Sequence, residues 1–305
     1  MKWGYYMAYL HEEANVFAAV ITQAAQKLGV PEAIVEKDYY VTILLRELAM
    51  QLPYIVFKGG TSLSKAHKII KRFSEDIDLA SDKNLTQGEK KKLKNSVVEA
   101  ADKLGLNIQN LEETRSRRQF NRYIIAYPAK GCPSAIMPSV IIETPLMALA
   151  EPVQKMPIES LIAEAIRDEA PDLIRIYELY PFEMKVQSIV RTFADKIFAI
   201  CDYYLEGQTE RHSRHLYDIA KLLPLVPQDD IFNRLMADVR KVRQTMSHCP
   251  SADTAINIPE LLNEIIDNEA YRHDYETLTR NLLGEPMPYD EAIIALKKIA
   301  SSCMF

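Results

Sequence analysis

Between Tyr54 and Ala80 the hydrophobic period changes twice around a pair of adjacent glycines. Tyr54-Ile-Val-Phe57 is a short β-rich run that meets Gly59-Gly60. Leu63 to Lys71 returns to helical spacing, and Asp76-Ile-Asp-Leu-Ala80 alternates as a strand with both aspartates on one face. Strand, helix and strand in so short a stretch point to an α/β (α+β) sheet. Glycine is sparse in the whole chain, at 9 residues, and elsewhere the apolar spacing is mostly helical.

That spacing predicts helices over Glu12–Leu28, closed by Gly29, and from Pro31 to about Met50. Thr86–Leu104 follows with Gly105 as its stop. Leu106–Leu111, Gln119–Tyr127 and Pro138–Glu143 are strand candidates. Beyond Pro145 the chain reads as helical, except for a strand at Glu183–Val190. The helical segments are Ile158–Asp168, Thr192–Tyr204, His212–Leu223, Ile231–Thr245, Ile258–Asp267 and Tyr289–Ser301. The expected plan is a helical segment over 1–52, an α/β core over 53–150 and a mainly helical domain over 151–305.

The 305 residues are 48% hydrophobic and 26% charged, which is globular composition. A net charge of -5 argues against a strongly basic nucleic-acid binder. The charge is uneven, however. Lys58 to Lys130 holds 16 Lys+Arg against 9 Asp+Glu, and the remainder 21 against 33. A basic middle in an acidic chain suits an anionic substrate, although Lys90, Lys91, Lys92 and Lys94 read as a solvated helix face. Cys132, Cys201, Cys249 and Cys303 form no CxxC pair, so reduced thiols are expected. No leader and no apolar run of membrane-spanning length is evident, and a soluble cytoplasmic protein is expected.

The chemistry concentrates in Phe57-Lys-Gly-Gly-Thr-Ser-Leu-Ser-Lys65 and Lys71-Arg-Phe-Ser-Glu-Asp-Ile-Asp-Leu79. Glycines admit close approach of a ligand to the backbone, and amides at a helix start bind phosphate. Gly59, Gly60, Thr61 and Ser62 fit such a cradle, with Lys58 and Lys65 adding charge. Asp76 and Asp78 then converge from one strand face. Paired carboxylates beside a phosphate cradle make a Mg²⁺ site, and two such ions would activate a hydroxyl and stabilise leaving pyrophosphate. GGTS or DxD alone is usually a turn or a surface strand end; their order and spacing give the specificity. GxxxxGK[ST] and GxGxxG are both absent.

Gly59-Gly-Thr-Ser with Arg72-Phe-Ser-Glu-Asp-Ile-Asp-Leu79 resembles the nucleotidyltransferase motif of the AbiEii/MenT toxin family, in the polymerase-β-like superfamily. Glu36-Lys-Asp-Tyr-Tyr-Val41 resembles the stretch preceding the core strand. Arg191-Thr-Phe-Ala-Asp-Lys196 and Arg214-His-Leu-Tyr-Asp218 resemble the second and third motifs. The resemblance covers about residues 30–225 and implies a mixed-sheet core, N-terminal helices and a helical C-terminal domain contributing Lys196 and Asp218.

It also implies site roles. Lys196 would hold a nucleotide phosphate, and Thr192-x-x-Asp195 reads as a cap placing it in a helix's first turn. Asp218 would fix Lys196 or the nucleotide, or else pair with Arg214. Arg72 and Ser74 would shape the nucleotide pocket, with Glu75 or Asp76 as alternative partners for Arg72. Glu143 is the candidate third metal carboxylate, against simple exposure at a strand end. Arg115, Arg117, Arg118 and Arg122 interleave with Phe120 and Tyr123 and could track an RNA backbone or form a ligand-free basic face. His212 and His215 read as helix-surface residues, not zinc ligands.

The expected function is therefore Mg²⁺-dependent transfer of a nucleoside monophosphate from an NTP to an acceptor hydroxyl, with Mn²⁺ as the other candidate ion. The resemblance implies a tRNA 3′ end as acceptor, a toxin role in a toxin–antitoxin or phage-defence system, and a cognate antitoxin protein or repressor as partner. The alternatives are AMPylation of a protein, transfer to a small molecule, and a non-catalytic nucleotide-binding module.

Overall fold

The structure is a computed structural model and describes residues 9–74, 76–116, 120–129, 136–145, 150–302 and 304–305. By packing, the chain forms two compact units. One comprises Met1–Thr61 and Glu75–Val186, the other Ser62–Ser74 and Gln187–Phe305.

The first unit opens with α1 (Ala14–Leu28) and α2 (Glu32–Gln51). Gly29 stops α1 in the left-handed conformation, donating its N–H to Ala25. Phe17, Val20, Ile21 and Ala24 form the buried stripe of α1, and Phe17 meets Tyr39 and Tyr40 of α2. Next come β1 (Ile55–Lys58), α3 (Gly59–Lys65), which leads into the second unit's segment, β2 (Asp76–Ser81), α4 (Gln87–Lys103) and β3 (Asn107–Ile108). β4 (Phe120–Ala126), β5 (Ser139–Pro145), β6 (Val153–Ile158), α5 (Leu161–Ile166), α6 (Pro171–Ile176) and β7 (Phe182–Gln187) complete the list. The strands form a seven-stranded mixed sheet in the order β3-β4-β5-β2-β1-β7-β6. β1 pairs antiparallel with β2 and parallel with β7; β2 pairs parallel with β5, and β5 antiparallel with β4.

Alternation sorts the sheet faces. Ile77 and Leu79 of β2, Val140 and Ile142 of β5, and Tyr123 and Ile125 of β4 are buried. Their neighbours Asp76, Asp78, Glu143, Phe120 and Arg122 lie on the opposite, more open face.

The second unit is helical: α7 (Ile189–Leu205), α8 (Arg214–Leu222), α9 (Asp230–Arg243), α10 (Ile258–Asp267), α11 (Arg272–Thr277) and α12 (Tyr289–Ala300). Its core includes Phe193, Phe198, Tyr217, Phe232, Leu262 and Leu296. The Ser62–Ser74 segment belongs to it: Leu63 and Ile70 are buried in that core, and the Phe73 N–H donates to the Leu282 carbonyl at 2.9 Å. Among the described residues no helix is long and apolar enough to cross a membrane.

Several expectations need correction. The helix expected over Leu63–Lys71 ends at Lys65, because Lys68 turns left-handed (φ 57°) and the Ile69 N–H returns to the Leu63 carbonyl at 3.0 Å. The strand at Leu106–Leu111 is reduced to β3, followed by a 3-10 turn at Leu111–Glu113. β6 carries the sheet past residue 150, where no strand was expected before Glu183, whereas β7 falls where the strand at Glu183–Val190 was expected. Ile158 ends β6 instead of opening a helix. α5 starts later, at the cap Ser160, whose Oγ accepts from the Ala163 N–H.

Candidate active site

β1 delivers Lys58 and Gly59 to the open face of the sheet, and β2 returns beside it. Lys58 lies opposite Asp78, Asp78 opposite Glu143, and Glu143 opposite Arg122. Four adjacent strands thus carry a row of charges, cation–carboxylate–carboxylate–cation, with Asp76 two residues along β2. Nothing in the local sequence gives this row. It follows from the register of strands up to 85 residues apart, Lys58 to Glu143.

Gly59 shows why glycine ends β1. Its φ is 76°, and a Cβ there would lie 1.9 Å from Asp78 Oδ2. Asp78 therefore packs against the backbone of the first residue of α3. Thr61 is buried, and its Oγ1 donates to the Asp76 carbonyl at 2.6 Å, tying the helix start to the carboxylate strand.

Burial, then Asp78 and Asp76, push the Glu143 carboxyl up to about 7, with Arg122 and Lys58 opposing. Arg122 Nε stands 3.6 Å from Glu143 Oε1, and its side chain is half exposed. This donor set suits a divalent cation. Its carboxylates come from neighbouring strands, and a bound cation relieves their mutual repulsion. Among the described residues no three His, Cys, Asp or Glu are already arranged to hold an ion. Asp76, Asp78 and Glu143 are the residues that would hold it, and the ion would supply Lewis-acid activation of an oxygen nucleophile.

The second unit contains its own buried ionic cluster. Arg72 Nε and Nη2 each donate at 2.7 Å to Asp218, and Lys196 Nζ lies 2.6 Å from Asp218 Oδ2. The three side chains are almost fully buried. Burial alone would raise the Asp218 carboxyl, but Arg72 and then Lys196 outweigh it and hold it well below the usual range. Burial weakens the charged form of Lys196, and Asp218 opposes that effect. Asp218 therefore takes Arg72 and Lys196 as ion-pair partners, not Arg214, and Arg72 has a carboxylate partner other than the two weighed for it. α7 begins at Ile189 under the cap Ser188, so Thr192 is inside the helix. Lys196 lies about two turns along it, and the first-turn dipole argument for this lysine fails.

The other candidates divide. Ser62 is buried and Ser74 half-buried, both in the second unit's segment. Tyr123 faces the buried side of β4, away from Phe120 and Arg122, so the expected interleaving of aromatics and arginines splits between two faces. Arg117 and Arg118 lie outside the described residues, as do Glu75, Cys132 and Cys303. His212 and His215 are not simply surface residues: His212 stacks on Tyr203 at 3.4 Å between ring centroids, and burial lowers both imidazoles.

A mixed sheet whose glycine-terminated strand runs beside acidic strands, with a helix starting at the glycine, defines an α/β protein with a carboxylate-bearing open sheet face. The chain belongs to the AbiEii family, the nucleotidyl transferase AbiEii toxins of type IV toxin–antitoxin systems, whose model matches residues 43–295. That family implies a nucleotide substrate and an antitoxin partner. Among solved structures, the chain is similar to MenT4, a nucleotidyltransferase toxin from Mycobacterium tuberculosis, with 16% identity and a TM-score of 0.54, over 92% of this chain and 88% of that one. This likeness is one of fold. A structure from H. pylori, provisionally named a nucleotidyltransferase, matches at 17% identity and a TM-score of 0.44 over 84% and 90% of the two chains. No curated protein matches.

Proposed function

We propose that this protein transfers a nucleoside monophosphate from an NTP to the 3′-terminal hydroxyl of a tRNA, using Mg²⁺ or Mn²⁺. In the cell it would act as the toxin of a toxin–antitoxin or phage-defence pair. The observation that carries the transfer chemistry is the packing of Asp78 over Gly59, in register with Glu143. Asp76, Asp78 and Glu143 would hold the metal on the open sheet face, where it would supply Lewis-acid activation. Gly59 and Gly60 carry no side chain that would stand between the chain and a triphosphate, and Lys58 adds a cation beside Asp78. The acceptor oxygen bonds to the α-phosphorus, the bond from that phosphorus to the pyrophosphate oxygen breaks, and the hydroxyl proton passes to water. The nucleotide roles of Ser62, Arg72, Ser74, Lys196 and Asp218 rest on the resemblance alone. The tRNA acceptor is favoured by the basic middle of the chain, with 16 Lys+Arg against 9 Asp+Glu from Lys58 to Lys130.

The test is to incubate the protein with each α-labelled NTP and Mg²⁺, with total RNA and, separately, with total protein. Label on a tRNA-sized band, lost in Asp76→Asn/Asp78→Asn, is the expected result. Label on protein, or on neither fraction, would overturn the acceptor assignment.

A further inference from the structure

We propose that the Phe120–Arg122 face of β4 seats the single-stranded end of the RNA acceptor, Phe120 stacking on a base and Arg122 binding a backbone phosphate. This rests on the carboxylate row being the transfer site, and it assigns that site's acceptor side. Phe120 and Arg122 are alternate residues of one strand, so both project from the open face, about 7 Å apart. Phe120 is 48% exposed, an unusual state for a phenylalanine on a sheet that buries its other face. Among the described residues Arg122 is held loosely, by a 3.6 Å approach to Glu143, and half of its side chain is open to solvent. Its guanidinium can take a phosphate without breaking a buried pair.

Placement and charge select the occupant. Arg122 is directly opposite Glu143, and Phe120 one step further along, opposite Pro145. A base on Phe120 therefore lies beside the carboxylate row, within a nucleotide's length of Glu143. An aromatic face next to an arginine binds single strands without reading sequence, because every base offers a π-face and every linkage an anion. The stretch of sequence that contains both residues carries 16 Lys+Arg against 9 Asp+Glu, an excess of cations that suits a polyanion.

The experiment uses the full chain and a fluorescent single-stranded RNA of about twelve nucleotides, with binding read by anisotropy in EDTA so that no transfer occurs. Phe120→Leu is expected to weaken binding about tenfold and Phe120→Trp to preserve it. Arg122→Gln is expected to weaken binding and to reduce the slope of log affinity against log salt by about 0.7, one single-strand phosphate contact. An unchanged melting temperature in each variant would verify the fold. Wild-type affinity in both Phe120→Leu and Arg122→Gln, or no saturable RNA binding by the wild type, would overturn the proposal. Label transfer to RNA with KM for RNA unchanged in both variants would overturn this seat and leave the proposed function standing. RNA binding that depends on both residues, in a protein that labels no RNA, would support the seat and remove the proposed reaction.

Discussion

Gly59 is held at φ 76° with the Asp78 carboxylate where its Cβ would be. Gly59→Ala is therefore expected to displace Asp78 and to cost about 1–3 kcal/mol in backbone strain. Manganese titration followed by urea unfolding would check both, and wild-type Mn²⁺ affinity in the variant would contradict the geometry. A second residue-scale case is Asp218. Asp218→Asn leaves Arg72 and Lys196 buried without their carboxylate, and a loss of about 3–5 kcal/mol is expected. Lys196→Met should cost less, since Asp218 keeps two hydrogen bonds from Arg72. The pH dependence has a definite sign. The folded Asp218 carboxyl lies below its unfolded value of about 3.9, so its contribution is complete above that value and is lost as pH falls toward the folded one. Urea unfolding at neutral and acid pH should show the wild type and Asp218→Asn converging as pH drops.

At the scale of elements, α4 is the clearest case of a helix defined by its own sequence. Thr86 Oγ1 accepts from the Glu89 N–H, and Glu89 Oε2 accepts from the Thr86 N–H at 2.9 Å. Thr86→Ala should cost about 1 kcal/mol by chemical denaturation. Lys83 and then Thr86 bring the Glu89 carboxyl down to about 2. Its support for the helix is thus present above the ordinary glutamate range and disappears as pH falls through about 2; Glu89→Gln should flatten that part of the acid titration of helicity. α7 teaches the opposite lesson. Thr192-x-x-Asp195 has the form of a helix start, yet Ser188 caps the helix one turn earlier. Gln187 binds both Thr192 and Asp195 through its Nε2, so the two residues serve a side-chain network inside the helix.

At the scale of the molecule, the two units are not successive stretches of chain. Ser62–Ser74 leaves the first unit's sequence to add Leu63, Ile70 and Arg72 to the helical unit. A fragment beginning at Gln187 therefore lacks two buried core residues and the bidentate partner of Asp218. It is expected to give a broad, weakly cooperative thermal transition by circular dichroism, and a sharp transition in that fragment would refute the assignment. The strand–glycine–helix–strand order and most helices were legible in the chain, because a 3.6-residue or 2-residue period is set by immediate neighbours. β6, the short β3 and the early end of α3 were not, since their lengths depend on pairing or backbone turns that no period records.

Local sequence was enough for the near-neighbour parts: a backbone that favours glycine at the end of β1, two aspartates on one face of β2, and the capped start of α4. Tertiary structure decided how the charges meet. Register across β1, β2, β5 and β4 aligned Lys58, Asp78, Glu143 and Arg122, and helix packing gave Asp218 a partner 146 residues away in Arg72. The physical reason is range. Conformational preference and side-chain alternation act over a few residues, whereas the field at a carboxylate depends on which distant strand or helix is packed against it.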